Sequence, residues 1–157
     1  MSGLSHVDEA GRARMVDVSD KKATARAATA HGVLTCKPET LDQVRAGSTP
    51  KGAVIQTAEI AGIMAAKRTA ELIPLCHPLA LTHVEVRIHI DDAVPGFRVE
   101  AEVRTKAETG AEMEALTAVS VACLTLFDML KAVDRTMAIG GIEVTSKTSG
   151  KSGSWSR

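Results

Sequence analysis

The sequence predicts an α+β fold in the order βαββαβ, the ferredoxin-like layout of a mainly antiparallel sheet with helices packed on one face. Three observations predict it. Two neighbouring segments alternate apolar and charged residues on either side of a turn, which is the pattern of an antiparallel hairpin. A long, mostly apolar helical pattern lies on each side of this hairpin, and strand-compatible segments precede and follow the helices. The 157 residues fit a single domain, 1–157, that is large enough to bury a core.

The elements before the hairpin follow from local composition. Residues 1–11 are polar, and we expect them to be flexible. In residues 24–34 the alanines favour a helix, whereas Gly32 and the apolar pair after it allow a strand; the βαββαβ order takes this segment as the first strand. A short helix is predicted over 38–46, where a proline begins it and glycine follows it. Residues 53–72 have strong helical periodicity and are apolar on most sides, which predicts burial against more than one neighbour.

The hairpin and the elements after it are assigned from clearer patterns. Apolar residues alternate with charged ones over 84–90 and again over 97–103, and turn-forming residues separate the two strands. A long helix is predicted over 110–134, with Thr109 as its cap and acidic residues in its first turn. A last strand is predicted over 137–145. We expect residues 148–157, rich in Gly, Ser and Lys, to be flexible.

Composition excludes several classes of function. The net charge is zero, with 19 basic and 19 acidic residues, and only 2% of residues are aromatic, which argues against nucleic acid as a partner. No apolar run reaches the roughly 18 residues that a membrane helix needs, and the first 20 residues do not resemble a secretory signal. The three cysteines, Cys36, Cys76 and Cys123, are an odd number without paired spacing. The sequence therefore predicts a cytoplasmic protein with reduced thiols that does not bind membranes.

A connector between two prolines is the first candidate site. Leu75, Cys76 and His77 lie between Pro74 and Pro78. Proline fixes its own φ and pushes the preceding residue out of the helical region, so the thiol and the imidazole are presented on a stiff, extended segment. A packed thiol with a hydrogen-bonded imidazole is the structural alternative, and a nucleophilic thiol is disfavoured because no dedicated base is identifiable.

A metal site is the remaining alternative at this connector. It would add Cys36 to Cys76 and His77, but no CxxC or HxxxH spacing supports it, so we predict no metal.

Charged residues near helix ends form the other candidates. Lys51 precedes the long apolar helix, where unpaired N–H groups favour anions. Glu112 and Glu114 begin the second long helix, although the helix dipole alone would explain them. Asp128 and Lys131 share a face of that helix, and the apolar residues around them predict partial burial, which would shift their pKa values and permit acid–base chemistry.

Helix geometry sets these candidates far apart within one chain. Glu112 and Asp128 are separated by about 24 Å at 1.5 Å per helical residue. Lys51 and His77 flank opposite ends of the first apolar helix, so they are more than about 20 Å apart. One small-molecule site that uses all of them must therefore receive residues from different subunits, which predicts a homo-oligomer with the site at a subunit interface.

Five blocks of sequence resemble the cyclic pyranopterin monophosphate synthase family (molybdenum cofactor biosynthesis protein C). They are MVDVS at 15–19, IAGIMAAKRT at 60–69, LIPLCHPL at 72–79, TGAEMEALTA at 109–118 and DMLKAV at 128–133. The resemblance covers nearly the whole chain. It implies a ferredoxin-like subunit in a hexamer, a trimer of dimers, with the site at the dimer interface.

The resemblance also implies the reaction and its residues. The enzyme would be a lyase that converts 3′,8-cyclo-7,8-dihydro-GTP into cyclic pyranopterin monophosphate and pyrophosphate, a scheme without a redox step, metal or other cofactor. The catalytic positions carry over to Lys51, His77, Asp128 and Lys131. The substrate-binding positions carry over to Leu75, Cys76, His77, Met113 and Glu114, with weaker correspondence at Glu112, Lys67 and Arg26.

Two positions depart from the family pattern, and two other functions remain as alternatives. Ser149 stands where the family has a second glycine, and Glu108 stands where many members have lysine.

A small βαββαβ domain could instead be a non-catalytic ligand-sensing module, because fold alone does not establish function. A transferase that depends on the Cys76 thiol is the third hypothesis, and it predicts inactivation by Cys76→Ser.

Overall fold

The computed structural model describes residues 3–148 and 153–157. The elements are β1 (Thr24–Thr35), α1 (Pro38–Ala46), α2 (Val54–Lys67), α3 (Thr69–Leu72), β2 (Leu81–Asp91), β3 (Gly96–Ala107), α4 (Glu112–Leu130), β4 (Ala138–Thr148) and β5 (Trp155–Ser156). The strands form one sheet in the order β2-β3-β1-β4-β5, and every neighbouring pair is antiparallel. Helix α4 packs on β1 and β3, while α2 packs on β2 and α4. The ferredoxin-like prediction is therefore confirmed.

The ambiguous alanine-rich segment is the central strand β1. It pairs with β3 on one side and with β4 on the other. Its alternate residues Ala28, Ala30 and Leu34 are at most 1% exposed and face the helices. Pairing on two sides and burial of one face outweigh the helix propensity of alanine. At Gly32 a Cβ atom would lie 2.7 Å from Val119 of α4, so the close approach of helix and sheet requires glycine there.

The predicted hairpin is present as β2 and β3, joined by a short turn. Its register sets Ile90 opposite Phe97 and Val86 opposite Ala101. The apolar residues of β3 (Phe97, Val99, Ala101 and Val103) are fully buried under the helices. The alternation of apolar and charged residues was therefore a correct guide to which face of the hairpin meets the core.

The helix predicted over 53–72 is broken at Arg68, which has φ −111° and ψ 11° and separates α2 from α3. The buried Thr69 donates from its hydroxyl to the carbonyl oxygens of Ala65 and Ala66, which competes with continued backbone pairing. The prediction that this helix is buried against more than one neighbour is confirmed, because α2 packs on both β2 and α4. Two of its apolar residues, Ile60 and Met64, are nevertheless 58% and 50% exposed.

Helix α4 differs from its prediction at both ends. It begins at Glu112 after the N-cap residue Ala111, and no side chain caps it, so the assignment of Thr109 as the cap was wrong. It ends at Leu130, four residues before its predicted end at Asp134. The Asp134 carboxylate accepts hydrogen bonds from the backbone N–H of Lys37, the N-cap residue of α1, and from the Thr40 hydroxyl. By length and composition α4 could cross a membrane, but half of it is buried in this domain, as is typical of a core helix.

Strand β4 runs three residues beyond its predicted end, and β5 was not predicted at all. The two-residue β5 pairs with β4 at Ser146 and Lys147, and the backbone N–H of Arg157 donates to the Thr145 carbonyl. A strand of two residues is too short to show a periodic pattern, so only pairing with β4 defines it.

Candidate active site

The first cluster of candidate residues lies where the C-terminal end of α4 meets the turn before α2. Asp128 accepts from Lys51 Nζ at 2.9 Å through one oxygen and pairs with Lys131 Nζ at 2.9 Å through the other. Lys51 lies in a short turn that positions it here. The Thr49 hydroxyl closes this turn by donating a hydrogen bond to the Gly52 carbonyl oxygen. The structure thus joins three of the predicted catalytic residues in one contact group.

The electrostatics of this cluster differ from the prediction. The side chains of Lys51, Asp128 and Lys131 are 46%, 55% and 56% exposed, so partial burial was wrong. Asp128 points away from the sheet, whereas its neighbours Met129 and Leu130 face the core. Hydrogen bonds from Lys131 and Lys51, reinforced by their charges, lower the pKa of Asp128 to about 2. An ionised carboxylate between two ammonium groups leaves one net positive charge, which suits the binding of an anion.

The second cluster surrounds the connector between α3 and β2 and the N-terminal end of α4. The residue before Pro74, Ile73, is extended with φ −108° and ψ 108°, as the proline predicts. Leu75, Cys76 and His77 follow in irregular backbone and are half-buried. Nε2 of His77 is within hydrogen-bond distance of the Val16 carbonyl oxygen. The prolines therefore present these three residues on a non-helical segment, as expected.

Glu114 is the most unusual ionisable group of the second cluster. It is 3% exposed, and its Oε2 is buried without a hydrogen-bond partner among residues 3–148 and 153–157. Burial, with a further contribution from the charge of Glu112, raises the pKa of Glu114 to about 7. Its Oε1 lies 4.0 Å from Cys76 Sγ, and burial together with this carboxylate raises the pKa of Cys76. A raised thiol pKa reduces the thiolate fraction, which argues against Cys76 as a nucleophile.

Glu112 forms an ion pair that sequence reasoning missed. Lys147 Nζ of β4 lies 2.7 Å from Glu112 Oε1, and both side chains are mostly buried. Lys147 pairs in register with Ala28, whose side chain faces the helices, so strand alternation could have identified it. The predicted end of the last strand at residue 145 excluded Lys147 from that argument.

The remaining predicted residues lie at the same end of α4 as Glu114. Arg26 donates to the carbonyl oxygens of Ala107, the last residue of β3, and Glu108, the next residue along the chain. Met113 is 37% exposed on the first turn of α4. Lys67, at the end of α2, lines a cavity of about 110 Å³ together with His77 and Glu114. Of the residues in the second cluster, Lys67, His77 and Glu114 therefore share a partly enclosed pocket.

The two clusters are separated by the length of α4. Glu114 and Asp128 are fourteen residues apart on one helix, which corresponds to about 21 Å. Within one chain, the cluster of Lys51, Asp128 and Lys131 therefore cannot contact a small molecule held between His77 and Glu114. The structure separates the predicted site into these two groups, as the helix arithmetic predicts.

The metal hypothesis required Cys36 to join Cys76 and His77. Cys36 is buried at the other end of the domain, where burial and, secondarily, the charge of Asp134 raise its pKa to about 11. Within residues 3–148 and 153–157, no group of three or more His, Cys, Asp or Glu side chains could hold a metal ion. The sequence departure at Ser149 lies outside the described residues.

The fold and these two clusters define the class of protein: a ferredoxin-like α+β subunit with a basic, solvent-facing cluster and a half-buried polar pocket at opposite ends of one helix. Residues 15–150 match the MoaC family, and the chain belongs to that family. It is 59% identical over 99% of its length to a protein of Methylobacterium sp. (strain 4-46), covering 97% of that protein. It is also 59% identical to proteins of Brucella ovis and Roseiflexus sp. (strain RS-1), over 99% and 98% of this chain and 94% and 97% of those proteins. All three relatives are named cyclic pyranopterin monophosphate synthase.

Proposed function

We propose that this protein is a lyase of molybdenum-cofactor biosynthesis that converts 3′,8-cyclo-7,8-dihydro-GTP into cyclic pyranopterin monophosphate and pyrophosphate. The observation that carries the proposal is the 59% identity, over 99% of the chain, to a relative named for this synthase activity. The geometry of the two clusters supports it, because the substrate combines a polyanionic triphosphate with a purine-derived ring system that must exchange protons.

The basic cluster suits the triphosphate end of this substrate. Asp128 stays ionised well below neutral pH and holds Lys51 and Lys131 at 2.9 Å each. The ammonium groups can bind phosphate oxygens and offset the charge that develops as pyrophosphate leaves. We assign proton transfer to one of these lysines and to His77, with Asp128 as the group that orients both ammonium groups.

The polar pocket suits the ring system, and we assign it as the binding region. His77, Glu114 and Lys67 line its cavity. We assign Leu75, Cys76, Met113, Glu112 and Arg26 to substrate binding as well, because they belong to the connector or lie near the N-terminal end of α4. Because the two clusters are about 21 Å apart in one chain, each complete site takes Lys51 and Asp128 from one subunit and His77 from another. We propose a homohexamer built as a trimer of dimers, located in the cytoplasm.

An exposed apolar surface on the helix layer supports such an assembly. Ile60 and Met64, one turn apart on α2, are 58% and 50% exposed, and Leu124 of α4 is 59% exposed. Side chains of this kind are normally covered when they cluster on one face of a domain. Contact between copies would bury them beside the two clusters.

Mixing two inactive variants tests the shared site. Lys51→Ala and His77→Ala chains are each expected to be inactive, whereas co-refolded mixtures regain about a quarter of wild-type activity, because half of random dimers are mixed and each contains one intact site. Mixtures that stay inactive, although mass spectrometry detects mixed oligomers, would contradict the shared site.

The reaction itself is tested by incubation with the cyclised nucleotide and detection of pyrophosphate and the pterin by mass spectrometry. Lys51→Ala or Lys131→Ala should reduce turnover by about 10²-fold or more, while the exposed Lys22→Ala serves as a matched control. A ligand-sensing module would bind the nucleotide and return it unchanged. That alternative is not favoured, because the full-length relatives carry the name of an enzyme.

A further inference from the structure

The segment of residues 15–19, which we call the strap, lies against the connector that presents His77. The strap, together with His77, Pro78, Leu79 and the loop before α4, lines a cavity of about 570 Å³. Residues 77–79 also line the smaller cavity of about 110 Å³ that contains Glu114. The connector is therefore a wall shared by two cavities, and the strap is the outer boundary of one of them.

One hydrogen bond joins the strap to His77, and the chemistry of the two groups determines which of them donates. The acceptor is the backbone carbonyl oxygen of Val16, which can only accept. Nε2 of His77 must therefore carry the hydrogen. In the neutral imidazole the lone pair then lies on Nδ1, which makes Nδ1 the nitrogen that can take up a proton.

Hydrogen bonds order the C-terminal end of the strap. The backbone N–H and the hydroxyl of Ser19 both donate to Asp17 Oδ1, at 2.9 and 2.5 Å, and Lys21 N–H donates to the Val18 carbonyl. Val16 and Val18 are half-buried, whereas Met15, Asp17 and Ser19 are exposed. The strap is thus an irregular segment with two half-buried apolar residues, Val16 and Val18, and a turn begins at its C-terminal end.

We propose that the strap is a positioning element of the active site: the Val16 carbonyl fixes His77 as the Nε2–H tautomer and leaves Nδ1 as its basic nitrogen. This inference rests on the proposed function for the claim that His77 transfers protons. The strap touches the reaction only through the imidazole, so its contribution is to orient the ring and to select which nitrogen accepts the proton. A histidine free to rotate would present that nitrogen only part of the time.

The test compares two full-length double variants. Val16→Gly/Val18→Gly removes both half-buried apolar side chains and gives the strap backbone freedom, without changing any side chain of the two clusters. Leu4→Gly/Ala10→Gly introduces the same two glycines at exposed positions of the preceding segment and serves as the control. The ring nitrogens of His77 are observed by NMR of protein labelled with ¹⁵N-histidine, and the His77→Gln spectrum identifies their signals among the five histidines.

The expected wild-type spectrum has a protonated Nε2 with a slowly exchanging hydrogen and an unprotonated Nδ1. In Val16→Gly/Val18→Gly the slow hydrogen is lost, both nitrogens move toward averaged shifts, and kcat falls about 10-fold with little change in KM. The control keeps the wild-type signals and rate. An unprotonated Nε2 in the wild type, or identical signals in the two double variants, overturns the inference. Absence of any turnover by wild type would refute the proposed function while the NMR result still decides the tautomer.

Discussion

Replacement of Glu114 by glutamine should remove most of the dependence of stability on pH between about 5 and 8. Glu114 is 3% exposed, its Oε2 has no hydrogen-bond partner in the described part of the chain, and burial raises its pKa from the ordinary 4.5 to about 7. In the unfolded chain the carboxyl group loses its proton near its ordinary pKa. Between these two values the folded state holds more protons than the unfolded state, so stability falls as pH rises.

The magnitude follows from the difference between the two pKa values. Each unit corresponds to about 1.4 kcal/mol, so the wild type loses about 3 kcal/mol through Glu114 between pH 4.5 and 7, and nothing further above that range. A neutral amide at the same position does not ionise. At pH 8, Glu114→Gln should therefore be more stable than the wild type, whereas at pH 5 the two proteins should be similar.

The assay is urea unfolding at fixed protein concentration and fixed ionic strength, at pH 5, 6, 7 and 8. For each protein, the quantity compared is the change in unfolding free energy with pH. Any effect of the Glu-to-Gln substitution that does not depend on pH drops out of this comparison. Glu71→Gln is the matched control, because Glu71 lines the same small cavity but is exposed. Equal slopes for wild type and Glu114→Gln would refute the assignment of a buried, uncompensated carboxyl group.

Three further predictions concern Asp134, Gly62 and Cys76. Asp134 is 2% exposed, and burial alone would raise its pKa, but the hydrogen bonds it accepts, including that from Thr40, lower its pKa to about 2. Asp134→Asn should therefore lower the free energy of unfolding by about 2 kcal/mol or more at pH 7, measured by urea unfolding. Gly62→Ala should destabilise the protein by about 1–3 kcal/mol, because a Cβ there would lie 2.9 Å from the Ala118 carbonyl oxygen of α4. Cys76→Ser should keep at least about a tenth of wild-type turnover, because the thiol is not a nucleophile.

Each of these predictions has an outcome that contradicts it. The ionised Asp134 carboxylate stabilises the fold above its ordinary pKa near 4, and this stabilisation is lost as pH falls toward 2. The difference in unfolding free energy between wild type and Asp134→Asn should therefore shrink over that range, and a constant difference would contradict the hydrogen-bonded carboxylate as its cause. Unchanged stability of Gly62→Ala would mean that α2 and α4 can separate without cost. Complete inactivation by Cys76→Ser, with normal folding, would favour the thiol-dependent hypothesis.

The fold could be predicted from the sequence wherever a pattern was long and regular. The alternation over β2 and β3 gave the hairpin and its buried face, because a two-residue period can satisfy only one orientation of a strand against a core. The segment of β1 remained ambiguous, because alanine is compatible with both states and only pairing with two neighbouring strands decides between them. The break at Arg68 and the start of α4 depended on single hydrogen-bonding groups, which periodicity does not report.

The sequence predicts the candidate site as a set of residues, but it does not predict the electrostatic arrangement of that set. By itself the sequence determined that Lys51, His77 and Asp128 are the groups to consider. It also determined that the first apolar helix separates Lys51 from His77 and that the second separates Asp128 from Glu112, because helical rise per residue is constant. Only the tertiary structure decided that Asp128 is solvent-exposed between two lysines and that Glu114 is the buried carboxyl group. The physical reason is that exposure and pKa depend on which neighbouring elements cover a side chain, and neither is encoded in the residues beside it along the chain.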